Sequence, residues 1–482
     1  MLVINAGQRI IGLARGLGFC HFLNEDQLGG WALANSFFVL GVPLALLGLP
    51  GGFSRFVAHY RQQGQLGTYV GRVLAVAGLG LVATLAWMLM APQHFNWLVF
   101  NQPQAFSVSL CFAAAFVALI LYSVVYELVT AFQHVRTMSI MQFVQSTSFA
   151  ALGLPLIAWT HSWTSLLVAY AIANVLAILP GAYMLWTERR GEFKTESPLP
   201  HRAMWLRIVP YAASLWGINF LSNSFEVCDR YMLLHLHVGG TEAAQAAIGQ
   251  YHCGRILPNL VVSVALMLGG VLLPFLSMDW EAGRKREIAE RLRQMLKATV
   301  VILLAACVGI LTLSPMLFQF GFGDRYATAE AILPLTLLHA IWVSLFLLAE
   351  SYLLCAEKGQ ELAALLLAGL GLNLVLNWSL IHIYGLQGAV AATTASSILV
   401  LFALYKRMET LGCRLGPSLY VLTLAPAMLL AGPVLAALGF VALVMLSGRT
   451  NWLFSQQERD QLDALILPKL QQLRLPLVSL WP

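Results

Sequence analysis

Apolar runs of about twenty residues follow one another from the first residues to beyond residue 440. Each is near the ~20 residues that a helix rising about 1.5 Å per residue needs to cross a ~30 Å hydrocarbon layer. Inside that layer backbone amides find no water, so a chain patterned this way folds as membrane-spanning helices. Composition agrees: 10% of the residues are charged and 59% are hydrophobic, against roughly 25% charged in a soluble globular protein. The expected fold class is an all-α polytopic membrane protein.

Twelve runs, from 3–23 to 386–405, read as single spans. A last run, 419–447, has 29 residues and is interrupted by Gly432-Pro433, so it is one tilted span or two short ones. No connecting loop exceeds about twenty residues and the tail after 448 has about thirty-four. That is too little for a separate catalytic or nucleotide-binding domain. No GxxxxGK[ST] phosphate loop occurs, so ATP-driven pumping would need another chain. The seven cysteines stand singly and read as small hydrophobes. Neither a cofactor nor a metal is expected. Arg9 and Arg15 interrupt the first apolar stretch, which therefore reads as a retained helix and not a cleaved signal peptide.

The formal charge of +6 sits in short loops, where it reports orientation and not a nucleic-acid partner. One alternate set of loops, from Arg55 to Arg414, holds nineteen Lys and Arg residues, and the other holds only Arg325. Positive loops stay cytoplasmic, which places the N-terminus there. The basic tail asks for the same side, so an even count of about fourteen helices is expected. A weak internal repeat sets Glu127 against Glu350, 223 residues on, each before a polar turn. Six spans followed by six suggest lobes over 1–200 and 201–410, with helices 13 and 14 and an amphipathic tail over 411–482. Within that tail, 455–473 reads as a helix lying on the cytoplasmic interface.

Ionised groups in hydrocarbon cost about 2.5–3.5 kcal/mol even on insertion scales, so they point to function. Span 1 carries Arg9 and Arg15, which either face a polar interior or snorkel to headgroups. Arg255 lies deep in span 8, and Pro258 should leave a backbone carbonyl near it unpaired. In span 7, Glu226 and Arg230 have the i, i+4 spacing of a helical ion pair. That leaves Asp229 to balance Arg255 or to bind a coupling proton or cation; Glu226 is a second ion-coupling candidate. Glu127 and Glu350 are expected to cap loop cations at the interface. His235 and His237, like five further outer histidines, read as interfacial and not as metal ligands.

Several stretches together resemble a known family. They are Arg9-Ile-Ile-Gly-Leu-Ala-Arg15, Leu28-Gly-Gly-Trp31, Gly48-Leu-Pro-Gly-Gly-Phe-Ser-Arg55, Asp229-Arg230, Tyr251-His-Cys-Gly-Arg-Ile-Leu-Pro258 and Leu272-Leu-Pro-Phe-Leu-Ser277. Phe322-Gly-Asp-Arg-Tyr326, Asn373-Leu-Val-Leu-Asn377 and Tyr384-Gly-Leu-Gln-Gly388 follow in order, so the likeness covers about residues 1–410. The pattern resembles the polysaccharide-unit (O-antigen-type) flippases of the multidrug/oligosaccharidyl-lipid/polysaccharide exporter superfamily, related to lipid II flippases. The resemblance implies two six-helix lobes in a V around a cationic central cavity, plus two C-terminal helices. It implies a bacterial inner-membrane transporter, not an enzyme, that moves an undecaprenyl-pyrophosphate-linked oligosaccharide by alternating access. It also implies work alongside glycosyltransferases and a glycan polymerase, with proton or sodium coupling open. Arg9, Arg15 and Arg255 match positions associated with the pyrophosphate on the lipid II branch. Gly16 stands where that branch commonly has an acid, which argues against lipid II itself. The alternatives are a multidrug and toxin exporter of the same superfamily and, behind it, a membrane-embedded glycan polymerase or ligase.

Overall fold

The computed structural model describes residues 2–187, 190–193 and 199–450, together with 453, 454, 456, 458 and 459. Among the described residues no strand occurs, and the chain is a succession of helices. It divides into two compact units, Met1–Cys253 with Asn377–Ala389, and Gly254–Leu376 with Val390–Pro482.

The first unit holds α1 (Leu2–Phe22), α2 (Glu25–Leu46), α3 (Phe53–Gln62), α4 (Leu66–Met90), α5 (Pro92–Phe100) and α6 (Phe106–Ala131). It continues with α7 (Val135–Thr160), α8 (Thr164–Thr187), α9 (His201–Leu236) and α10, Gly240–Gly254. Helices α6, α7 and α8 pack closely together, α1 lies along α7, and α2 lies along α9. The aromatic rings of Phe37, Phe38, Phe95, Phe112 and Phe116 interlock between α2, α5 and α6. Where α2 crosses α10 the backbones nearly touch. A Cβ on Gly29 would meet the Gln245 carbonyl at 2.0 Å, and one on Gly249 would meet the Glu25 carbonyl at 1.9 Å. Glycine is required at both positions because only a bare Cα fits.

The second unit holds α11 (Ile256–Glu281), α12 (Lys285–Leu317), α13 (Ala327–Cys355), most of α14 (Gly359–Thr410), α15 (Pro417–Leu424) and α16, Pro433–Arg449. Helix α13 is the most buried of the long helices in this unit, packing on α11 and α12. Helix α14 is broken at Gly385, whose φ of 54° and ψ of −127° reverse its direction. The run expected over 419–447 is two short legs. A 3₁₀ stretch, Ala425–Ala431, ends at Gly432 (φ 91°), and α16 folds back so that Gly439 lies against Met428.

Among the described residues, nine helices are long and apolar enough to cross a membrane, with two shorter apolar helices at 417–431 and 433–449. Helices α1 and α9 are long but carry Arg9 and Arg15, and Glu226, Asp229 and Arg230, and they are not among the nine. The protein is a multi-pass membrane protein.

Among the described residues, five helices end in one turn design. The amide of the residue two past the cap reaches back five positions: Gln65 to Tyr60, His134 to Val129, Arg284 to Asp279, Lys358 to Leu353 and Cys413 to Met408, at 2.9–3.3 Å. Each turn has one residue at positive φ: Gly64, Gln133, Gly283, Glu357 or Gly412. These left-handed caps satisfy the last carbonyls of a helix that would otherwise stay unpaired in a poorly hydrated layer. All five fall in the basic loops. Gln133 and Glu357 stand 224 residues apart, so the repeat has a register one residue longer than expected. Glu127 then matches Ser351, not Glu350, because one residue turns a helix by about 100°.

The expected amphipathic helix over 455–473 falls almost wholly outside the described residues. Five cations expected in the loop before span 9, Lys285, Arg286, Arg291, Arg293 and Lys297, lie on α12 instead. Lys297 is buried and bonds Glu458 (3.1 Å) and the Leu453 carbonyl (2.8 Å), while Arg293 reaches Glu458 at 3.3 Å.

Candidate functional site

Arg9 and Arg15 stand on α1, six residues apart and so ~9 Å apart along the axis. Arg15 is half-buried, with its guanidinium 4.7 Å from the centre of the Phe149 ring of α7. Tyr170 of α8 is close enough to act on its charge. That platform is fixed from behind: Phe149 packs edge-on against Phe19, at 5.6 Å, and Tyr170, at 5.0 Å, and Tyr170 stacks on Phe38. To the other described residues the guanidinium makes neither a hydrogen bond nor an ion pair. A ring face attracts a cation by about 0.5–2 kcal/mol but leaves all five N–H donors unused. Arg15 is therefore a positioned cation with its hydrogen-bonding edge open. Arg9 is also half-buried, one turn and a half nearer the N-terminus.

Arg255 belongs to the second unit and is 7% exposed. It stands at the break between α10 and α11, and Pro258 explains that break. Proline has no N–H for the carbonyl four residues back, which is that of Gly254. The Thr336 hydroxyl of α13 lies 3.2 Å from this orphan and shares its one proton between it and the Leu333 carbonyl of its own helix, at 2.9 Å. The freed carbonyl expected near Arg255 is thus present, and a side chain from a neighbouring helix partly satisfies it. Arg255 lies near enough to His339 of α13 to act on it electrostatically. His339 is held in turn by Ser397 of α14 at 2.9 Å. Since the Ser397 hydroxyl donates to the Thr393 carbonyl at 2.8 Å, the histidine Nδ1 is the donor to Ser397.

Two expectations about the acids need correction. Arg230 does not close an ion pair with Glu226. Its Nη1 donates to the Ser36 hydroxyl of α2 at 2.8 Å, and Glu226 is exposed. Ser36 lies on the helix packed against α9, where a buried guanidinium finds a fixed acceptor. Asp229 is fully buried and accepts the Tyr251 hydroxyl of α10 and the Arg230 amide. Nor do Glu127 and Glu350 cap loop cations: neither makes a hydrogen bond or ion pair to another described residue.

Among the described residues no group of three His, Cys, Asp or Glu could hold a metal ion. His235 and His237 serve backbone groups, His235 meeting the Leu98 carbonyl at 3.3 Å and His237 accepting the Gly239 amide at 3.0 Å. Sequence reading singled out Arg15 and Arg255 but missed Phe149, Tyr170, Thr336 and His339, and it gave Tyr251 only as part of a motif, with no partner. The first four are ordinary residues of apolar helices, and only packing gives them partners.

Comparison with known proteins places the fold. The lipid II flippase MurJ of Bacillus subtilis (strain 168) is 23% identical over 418 residues, covering 77% of this chain and 74% of its own length. An uncharacterized membrane protein of the same organism, YabM, is 27% identical over 230 residues, covering 46% of this chain and 42% of its own. In structure, a lipid II flippase MurJ in an inward closed conformation superposes with a TM-score of 0.72 at 13% identity, over 93% of this chain and 98% of that one. An inward-facing multidrug resistance MATE family transporter of the MOP superfamily gives 0.69 at 13% identity, over 85% and 98%. The fold is the one these transporters share. The family described as polysaccharide biosynthesis protein matches residues 4–280, more than half of the chain. The chain therefore belongs to the polysaccharide biosynthesis protein family.

Proposed function

We propose that this chain is a flippase that moves an undecaprenyl-pyrophosphate-linked oligosaccharide across the bacterial inner membrane, with arginines binding the pyrophosphate. In this reading fourteen crossings leave both termini cytoplasmic, and two lobes rock to expose the site to each side in turn. The observation that carries it is Arg15, a guanidinium in an apolar helix, set over Phe149 with no carboxylate partner among the described residues.

An unpaired cation in a span costs several kcal/mol, so a chain that keeps one needs a transient anion to match it. A pyrophosphate presents about two negative charges and oxygens spaced for bidentate guanidinium contacts. Carrying those charges through hydrocarbon unaided would be prohibitive, whereas the polyprenyl tail can stay in lipid. Arg9 and Arg255 are the further phosphate ligands. Asp229, already holding Tyr251, is the candidate for a coupling proton, with exposed Glu226 behind it. Gly16 turns the choice away from lipid II towards a polysaccharide or O-antigen repeat unit. Polymerase and glycosyltransferase partners follow from that substrate.

The test is translocation of a fluorescent lipid-linked oligosaccharide in reconstituted vesicles. Arg255→Ala should abolish translocation while the protein still inserts and folds. Export of organic cations, the competing reading, leaves translocation of this lipid absent in the wild type, and unchanged translocation in Arg255→Ala removes the site assignment.

A further inference from the structure

Glu127 lies near the end of α6, on the wall of a cavity of about 250 Å³ within the first unit. Pro43 and Leu46 of α2, the turn Gly48–Gly51, and Trp216, Asn219 and Asn223 of α9 form the rest of the wall. Three observations bear on what it holds.

The first is charge. The Glu127 carboxylate has no hydrogen bond and no ion pair with another described residue, so no lysine or arginine among them neutralises it.

The second is the disposition of donors. Ser123 stands one turn back on the same face of α6 and also lines the cavity. Its proton goes to the Leu119 carbonyl at 2.9 Å, which leaves the hydroxyl lone pairs for the cavity. Asn223 directs its amide nitrogen to the Val39 carbonyl at 3.5 Å, the carbonyl that Pro43 deprives of its helical partner, and keeps its oxygen free. Asn219 is exposed and makes no hydrogen bond to another described residue. The Trp216 indole N–H is spent on the Pro43 carbonyl at 3.0 Å. The cavity therefore shows oxygen acceptors around a single negative charge.

The third is size. A volume of about 250 Å³ corresponds to roughly eight waters at ~30 Å³ each, room for a partly hydrated ion.

We propose that this cavity is a binding site for a monovalent cation, held by the Glu127 carboxylate and the side-chain oxygens of Ser123, Asn219 and Asn223. Hard oxygen donors select alkali cations over metals that prefer thiolate or imidazole. One carboxylate matches a single positive charge, whereas calcium and magnesium sites commonly gather more carboxylate oxygens. The site does not depend on the identity of the transported lipid and uses none of the arginines assigned to it.

The experiment uses the purified full-length chain in lipid nanodiscs, with ²²Na⁺ binding measured and competed separately by NaCl and KCl against choline chloride. The expected result is saturable binding displaced by Na⁺, by K⁺ or by both, which distinguishes the two ions, and a fall of at least tenfold in affinity in Glu127→Gln. Absence of saturable binding in the wild type, or binding unchanged in Glu127→Gln, overturns the site. Should Glu127→Gln not purify as a folded protein, Ser123→Ala with Asn223→Ala keeps the charge and removes two ligands. Affinity should then fall at least threefold, and unchanged affinity overturns the proposal equally.

Discussion

Arg15 illustrates how one residue acquires a role from neighbours that sequence cannot supply. Its charge in an apolar helix is visible at once, but its partner Phe149 sits on α7 and looks like any apolar-helix phenylalanine. If the ring positions the cation, Phe149→Leu should lower translocation severalfold with little change in melting temperature, since leucine fills much of the volume but offers no π face. Arg15→Lys should retain part of the activity, having the charge without the fork, while Arg15→Glu should abolish it. Arg9→Lys should be tolerated better than either change at Arg15. Vesicle translocation assays rank the four, and equal tolerance at both positions would mean that Arg15 merely snorkels. Arg230 shows the opposite failure of reading. Its i, i+4 spacing to Glu226 suggests an ion pair, yet Ser36 on a packed helix offers a better fixed acceptor at 2.8 Å. Helical spacing records only neighbours on the same helix.

At the scale of elements, prolines, glycines and capping turns decide where helices break and how closely they approach. Pro258 was readable in the sequence as a source of an unpaired carbonyl, but the group that answers it, Thr336 on α13, was not. Thr336→Val should therefore cost about 0.5–1.5 kcal/mol by removing the hydroxyl that the Gly254 carbonyl shares with Leu333. In a Pro258→Ala background, which restores an N–H four residues on, that cost should shrink. A double-mutant cycle by thermal unfolding in detergent measures the coupling, and strict additivity would separate the two residues. The crossing of α2 and α10 is more exacting. Gly249→Val places a Cβ against the Glu25 carbonyl, a backbone atom that cannot rotate away. It should destabilise by about 1–3 kcal/mol, as overpacking does, or force the helices apart. A melting temperature in detergent for Gly249→Val equal to that of the wild type would contradict the close contact. The broken run at 419–447 was legible as far as Gly432-Pro433. Its folding back into two short legs was not, because both outcomes have the same composition.

At the scale of the whole molecule, length, charge asymmetry and recurrent apolar runs sufficed to read a multi-pass helical protein. The five matching left-handed turns show that the basic-loop ends were built to one plan. The burial of charge beyond α16 was not legible, because it depends on a contact between residues more than 160 positions apart. There Glu458 is 4% exposed and meets Lys297, itself 4% exposed, with Arg293 beside them. Removing one partner of such a buried pair strands a charge, so Glu458→Ala should cost about 3–5 kcal/mol, whereas Lys297→Met with Glu458→Leu should be far milder. Thermal unfolding compares them, and equal losses would show that the pair is not coupled. Cys413, in the loop after α14, is fully buried, and burial pushes its thiol up to about 12. Below that pH it stays protonated as well as covered, so maleimide should label it only after denaturation; rapid native labelling at pH 7 would contradict the packing there.

In the proposed function guanidinium groups receive a diphosphate, and equilibrium binding of undecaprenyl pyrophosphate without its glycan to the chain in nanodiscs tests this most directly. The wild type should bind it saturably, and Arg15→Ala and Arg255→Ala should each weaken binding at least tenfold while remaining folded. Wild-type affinity in both variants would contradict the account.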